Sequence, residues 1–408
     1  MTIDPQFVDF LSSRLDVQAS SLGEAIDFAV REIQSGSDAL TGNYNGYWLL
    51  LDQVLARAID GKDGEAERYA RFARSLLLLA TGMVPQDELG PAELAALAPR
   101  IGPELVGLYQ RQAKRLASAG ALGLSYYPRI HALFADLEAS LEHFVFGQRY
   151  SPSFQLGKDT LLVTMGSCFA ENIARFLASF GFTVRNFASP EEASPQTFPR
   201  LVANILDHPD STARDLIRDS ASLCVVFTAG VGERVRLRSG EVVDASILKD
   251  NPARMRAVEA VEIYPPETIA ASIREGFNAL RSLNPRATMV CTVSPVPLEA
   301  SFANTQGILV RSAYSKAALL QGVQQVCAGD PAISYFPSYE IVKEWAPLAG
   351  IKAFAADDGS PRHVSRNLVL IICLMFLKHF VGAAAYQKVL EEKTGGADFS
   401  RLRQAVVQ

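Results

Sequence analysis

The chain has 408 residues, 49% of them hydrophobic and 20% charged, with a formal net charge of −5. That length can hold two cores of ordinary size. The charge balance gives no sign of a nucleic-acid partner or a polybasic membrane face. The longest apolar run, Leu368 to Leu377, falls well short of the roughly 20 residues that a membrane-spanning helix needs. Met1 to Gln6 form neither a basic cluster nor an apolar core, so a cytoplasmic protein without a secretory leader is expected. Five widely spaced cysteines (Cys168, Cys224, Cys291, Cys327 and Cys373) without a Cys-x-x-Cys pair predict neither a disulfide framework nor a zinc site.

From Phe7 to Phe146 the pattern is helical, with apolar residues at helical spacing such as Leu50, Leu51, Val54, Leu55 and Ala58. Breaks fall at Ser35-Gly36-Ser37, Gly42 to Gly46, Thr81 to Pro85 and Pro99 to Pro103, and Leu76 to Leu79 belong to a central helix. Nothing in this part carries recognisable chemistry. The turn-rich segment Gly147 to Phe154 marks a domain boundary, giving a helical domain over 1–146 and a second domain over 147–408. Beyond it, short apolar strands alternate with helix-sized segments. Strands are expected at Leu161–Met165, Thr183–Asn186, Leu223–Thr228, Ala287–Val293 and Ala332–Phe336. Helices are expected at Glu171–Phe180, Thr197–Leu206, Pro266–Leu283, Val310–Cys327 and Arg366–Phe380. This alternation predicts an α/β fold: a mostly parallel sheet with helices on both faces, preceded by an all-α domain. Arg234 to Val243, with Ser239-Gly240 at its centre, reads as an inserted hairpin.

Thr164-Met165-Gly166-Ser167-Cys168-Phe169-Ala170 lies where the first strand gives way to a helix. A hydroxyl at that junction sits beside free backbone N–H groups and the positive end of a helix dipole, both of which favour a developing oxyanion. The plainer alternative is that Ser167 only caps the helix. The block Gly166 to Ala170 resembles the signature of the GSCFA family, which is grouped with SGNH (GDSL-like) esterases and acyltransferases. Further matches follow in order: Thr228-Ala229-Gly230, Thr292-Val293-Ser294-Pro295-Val296, Tyr314-Ser315-Lys316 and Phe336-Pro337-Ser338-Tyr339-Glu340. The resemblance covers Phe154 to Phe380 and implies an SGNH/flavodoxin-like fold, with Ser167 as the nucleophile of an acyl-enzyme.

A serine nucleophile needs a base and a group to orient it. Among five histidines, His131 and His143 fall in the helical region, His208 in a loop and His379 on the last strong helix; all four read as surface or core residues. His363 lies in the polar loop Asp357 to Ser365, directly before a strongly apolar helix. The resemblance assigns it as base, yet the expected Asp three positions earlier is Ser360. Asp358, or Asp357 as the second choice, is left to orient it; an exposed turn is the plainer reading. The oxyanion is assigned to the N–H groups of Cys168 and Gly230, with a backbone nest over Gly230 to Gly232. Gly232 stands where the SGNH pattern has Asn, and no Gly occurs near Asn186 to Ser189 where another donor is expected. Ser294, Tyr339 and Glu340 follow strands and are candidates for binding substrate. Cys168 is the competing nucleophile, as a thiolate at a helix start. Gly230 to Val235 lacks the third Gly of a dinucleotide fingerprint, and no phosphate loop or His-Glu-x-x-His occurs, so no cofactor or metal is expected. The expectation is a serine esterase or O-acyltransferase acting on a small-molecule or carbohydrate acyl ester. The alternative is an inactive ligand-binding protein of the same shape, favoured by the missing donors.

Overall fold

The computed structural model describes residues 21–35, 43–83, 89–121, 124–147, 150–187, 194–207, 212–243, 248, 251–302 and 306–394. The chain divides into two compact units between Ala135 and Asp136. This lies ahead of the turn-rich segment at Gly147, because the helical turns over Leu137–Phe146 are bonded within the second unit. There Trp345 Nε1 donates to Ser140 Oγ (3.0 Å), and Lys378 pairs with Glu138 and Glu142.

The first unit contains α1 (Leu22–Ser35), α2 (Tyr44–Asp60), α3 (Gly64–Ala80), α4 (Pro91–Ile101) and α5 (Pro103–Ala121). Asn43 and Asp63 cap α2 and α3 by accepting the N–H groups of Gly46 and Ala66, which satisfies donors that a helix start leaves open. The α3 helix packs on α1, α2, α4 and α5, and it buries Tyr69, Phe72, Leu76, Leu77 and Leu79. Leu76 to Leu79 therefore lie in the central helix, as their hydrophobicity predicts.

The second unit is built on a five-stranded, all-parallel sheet. Its strands are β1 (Leu161–Gly166), β2 (Val184–Asn186), β3 (Leu223–Ala229), β7 (Ala287–Val293) and β8 (Ile333–Tyr335), in the order β2-β1-β3-β7-β8. Within this sheet the order is that of flavodoxin-like folds, and it reverses direction between β1 and β3. Strands alternate their side chains between faces. Leu161, Val163 and Met165 share one core with α8 (Phe198–Leu206), α9 (Thr212–Asp219), α10 (Pro266–Leu283) and α11 (Ile308–Gly329). The opposite face carries α7 (Cys168–Ser179), which lies on β1, β2 and β3; α12 (Arg366–Phe380) packs on α7. Between β7 and α12 the chain also forms a π-helical turn over Ile341–Trp345. Two further helices are α6 (Leu137–Leu141) and α13 (Ala383–Thr394).

The inserted hairpin forms as β4 (Glu233–Leu237) and β5 (Val242–Val243), with a third strand, β6 (Val258–Ile263), on the other side of β4. The sequence reading did not include β6. Its face is only partly buried, and its cross-strand partners are charged. Arg234 Nε donates to Glu262 (2.7 Å), and Arg236 pairs with Glu259 and Glu262.

Candidate active site

Strand β1 is buried along its whole length and ends in a glycine with φ +99°, outside the range of most side chains. A Cβ at Gly166 would stand 2.3 Å from the Thr228 carbonyl oxygen, so only glycine permits this approach of β1 to β3. Ser167 follows in extended conformation and opens α7, but its side chain makes no capping bond. Its Oγ lies instead 2.8 Å from Thr228 Oγ1. Its N–H donates to Thr228 O (3.0 Å) and Thr228 Oγ1 (2.9 Å), and its carbonyl accepts Ala170 N–H (2.8 Å). Ser167 is buried at the junction where the strand order reverses, the position at which open α/β sheets bind ligands.

The loop before α12 separates the two candidate aspartates. Asp357 Oδ2 accepts Arg366 N–H (2.7 Å) and so helps to start the helix, together with the Ser365 cap on Leu368 N–H. Asp358 Oδ2 lies 2.5 Å from His363 Nδ1, and its Oδ1 accepts Ser360 N–H (2.9 Å). The bond from His363, then the one from Ser360, holds the Asp358 carboxyl below its ordinary range. With Asp358 on Nδ1, the imidazole keeps Nε2 for an external proton. Both side chains are largely exposed.

These two groups share one edge of the sheet. Helix α7 starts at the carboxyl end of β1. At the far end of α12, Phe380 O accepts Leu156 N–H (2.7 Å), just ahead of the amino end of β1. Fifteen residues at about 1.5 Å each span roughly 22 Å, close to the six residues of β1 at about 3.3 Å each. Arg362, in the same loop as His363, pairs with Glu299 (3.6 Å), which follows the carboxyl end of β7, so the start of α12, and with it the Asp358–His363 pair, lies at the carboxyl edge. No hydrogen bond joins His363 to Ser167: the serine hydroxyl is paired with Thr228 and the imidazole with Asp358.

The expected oxyanion loop is more constrained than its sequence indicates. Gly232 N–H donates to Ser315 Oγ (2.8 Å) and Gly232 O accepts Tyr264 N–H (2.9 Å), so Gly232 has no donor to offer. Gly230 O accepts a bond from the buried Lys316 Nζ (2.6 Å). Glu233, also buried, receives Arg311 Nε (2.9 Å) and Ser301 Oγ (3.0 Å). Thr228, Lys316, Ser315, Arg311 and Glu233 are polar residues whose place here sequence reasoning did not assign. One signal was available: Ser312, Ser315, Lys316 and Leu319 fall at helical spacing on the buried stripe of α11.

Ser294 is fully buried; its N–H donates to Ala229 O and its hydroxyl accepts Val296 N–H, which makes it a turn residue at this position. Tyr339 is half-buried in the helical turn Ser338–Glu340 that follows β8, and burial raises its phenol. Glu340 accepts Tyr335 OH on both oxygens (2.7 Å each), and burial raises its carboxyl. The Cys168 side chain lies outside the described residues, as does His208. Burial pushes the Cys224 thiol up to about 12 and raises those of Cys291 and Cys373, as expected of small buried hydrophobes. The His379 ring stacks on Phe146 at 4.1 Å, and His131 N–H donates to Asn45 Oδ1. Among the described residues, no group of three or more His, Cys, Asp or Glu side chains is placed to hold a metal ion. No helix among them is long and apolar enough to cross a membrane.

Residues 185–376 match the model of the GSCFA family. The matched stretch runs from β2 into α12 and includes Thr228, Gly230, Lys316, Asp358 and His363. The matched stretch begins after the Gly166-Ser167-Cys168-Phe169-Ala170 block. No curated protein matches the chain.

Proposed function

We propose that the carboxyl edge of the sheet is an SGNH-like acyl-ester site, hydrolytic or acyl-transferring, with Ser167 as nucleophile. The observation that carries this reading is the Asp358–His363 pair at 2.5 Å, on the loop that starts α12 at the same edge as Ser167. His363 Nε2 takes the proton as Ser167 Oγ bonds to the acyl carbonyl carbon, and returns it to the departing alkoxide. Water or an acceptor hydroxyl then gives its proton to the imidazole and attacks the acyl-enzyme, and the imidazolium returns that proton to Ser167 Oγ as the serine leaves. Thr228 holds the Ser167 hydroxyl in the resting arrangement and exchanges it for His363 when substrate enters. By the family resemblance, the substrate class is a small-molecule or carbohydrate acyl ester.

The test is labelling with a fluorophosphonate probe alongside hydrolysis of an activated acetyl ester, in wild type, Ser167→Ala, Cys168→Ala and His363→Ala. Loss of both signals with Ser167 and His363, but not Cys168, supports the reading. Dependence on Cys168 reassigns the nucleophile. A specific observation favours a second reading, a binding protein without turnover: the N–H groups of Ser167 and Gly232 are already donated within the fold. Folded protein that neither labels nor hydrolyses selects that reading.

A further inference from the structure

The carboxyl end of β3 is fastened on several sides, yet it leaves two adjacent N–H groups open. Ala229 O accepts Ser294 N–H (2.8 Å), so the Ala229–Gly230 peptide points its carbonyl at β7. A trans planar peptide then points its N–H the opposite way, toward β1. In a continued parallel ladder that N–H would donate to Ser167 O. The Ser167 carbonyl has instead turned into α7, where it accepts Ala170 N–H. The next peptide is set by Lys316, which lies on α11 and donates from Nζ to Gly230 O at 2.6 Å. Since α11 covers the sheet face opposite α7, the same trans geometry directs Val231 N–H away from α11 and toward the face where Ser167 opens α7. Gly232 closes the loop. Its N–H is held by Ser315 Oγ, and a Cβ there would stand 2.6 Å from Ser315 O. Neither Gly230 N–H nor Val231 N–H has a hydrogen-bond partner among the described residues.

We infer that Gly230 N–H and Val231 N–H form the binding site for a tetrahedral oxyanion beside Ser167, and that Lys316 is the positioning residue that sets it. Two convergent backbone donors make an anion-binding concavity. A buried ammonium on the Gly230 carbonyl polarises that peptide, which strengthens Val231 N–H as a donor. This explains how the loop works without the side-chain amide of the SGNH pattern, and it moves the second donor from Gly232 to Val231. Its catalytic use rests on the acyl-ester reading above; the anion site itself does not.

The experiment uses the full chain labelled with ¹⁵N at glycine and valine and titrated with methylphosphonate, a free tetrahedral anion. Saturable shifts of the Gly230 and Val231 amides are expected in wild type. Lys316→Met should weaken the anion at least tenfold and Lys316→Arg should restore it, whereas loss of a merely structural contact would not change the two amides selectively. Val231→Pro removes one donor and leaves Lys316 in place, so it decides the matter if Lys316→Met does not fold. In turnover, Val231→Pro is expected to lower kcat by about 10²-fold with KM little changed. Wild-type amides that ignore methylphosphonate overturn the inference, as does a Ser167-dependent kcat that Val231→Pro leaves within about threefold of wild type. Anion binding with these signatures but no Ser167-dependent hydrolysis sustains the inference and removes the hydrolase reading.

Discussion

The two units bury different kinds of residue. Among the described residues, the helical unit's buried polar side chains are Ser75 and Thr81, and Thr81 only returns its hydroxyl to Leu78 O in its own helix. The α/β unit buries Thr228, Glu233, Arg311, Ser315 and Lys316, joined by hydrogen bonds between elements far apart in sequence. A buried polar group carries a desolvation penalty that only a partner offsets. A core that keeps several such groups near one sheet edge must therefore give each of them a partner, as it does here. The contrast puts a buried polar network in the second unit and an almost wholly apolar core in the first.

The largest effect that could break this contrast comes from the helical core. Phe72 is fully buried on α3, and Phe72→Ala is expected to destabilise the first unit by about 3–5 kcal/mol. Fluorophosphonate labelling of Ser167 should persist below the melting transition. Labelling lost in the folded variant would show that the helical unit takes part in the chemistry. Next comes Gly166→Ala, which forces a side chain into positive φ and against the Thr228 carbonyl. It should cost about 3 kcal/mol in denaturant unfolding, and a neutral result would mean that β1 and β3 do not meet as described.

Thr228→Val sharpens the comparison at one hydroxyl. It leaves Ser167 Oγ without its partner and should destabilise by about 1–3 kcal/mol. It should also change the rate of Ser167 labelling, whereas a purely structural threonine would alter stability alone. The smallest effect is pH-dependent. Burial raises the Glu340 carboxyl in the folded state, so the folded protein binds this proton more readily than the unfolded chain does. The contribution is complete below the unfolded value and is lost as pH rises through the folded one. Glu340→Gln should flatten that decline in a series of melts from pH 4 upward. An unchanged slope would assign the decline to other groups.

Much of the α/β unit was legible because its elements are local. The expected helix over Pro266–Leu283 has the bounds found, as does Arg366–Phe380, and the strands at β1, β3 and β7 differ by a residue at most. Hydrophobic period and Pro or Asn boundaries suffice there. The third strand of the insert escaped because Val258 to Ile263 mixes charge with small apolar residues, and its pairing with β4 is what makes it a strand. In the candidate site, Asp358 and His363 were legible as neighbours in one loop. Their bond, and the diversion of Asp357 to Arg366 N–H, depend on how the loop folds onto the start of α12.

By itself the sequence determined the succession of helices and strands, the glycine and serine at the end of β1, and the carboxylate close to His363. Each depends on residues within a few positions of one another, where period, cap and turn chemistry act. Only the tertiary structure decided that β3 lies beside β1, so that Thr228 meets Ser167 across 61 residues. It also decided that Lys316 and Ser315 reach back to Gly230 and Gly232 from α11, leaving the Gly230 and Val231 N–H groups open. Strand order and helix placement follow from how whole faces pack. A hydrogen bond between residues so far apart in the chain leaves no local mark on either of them.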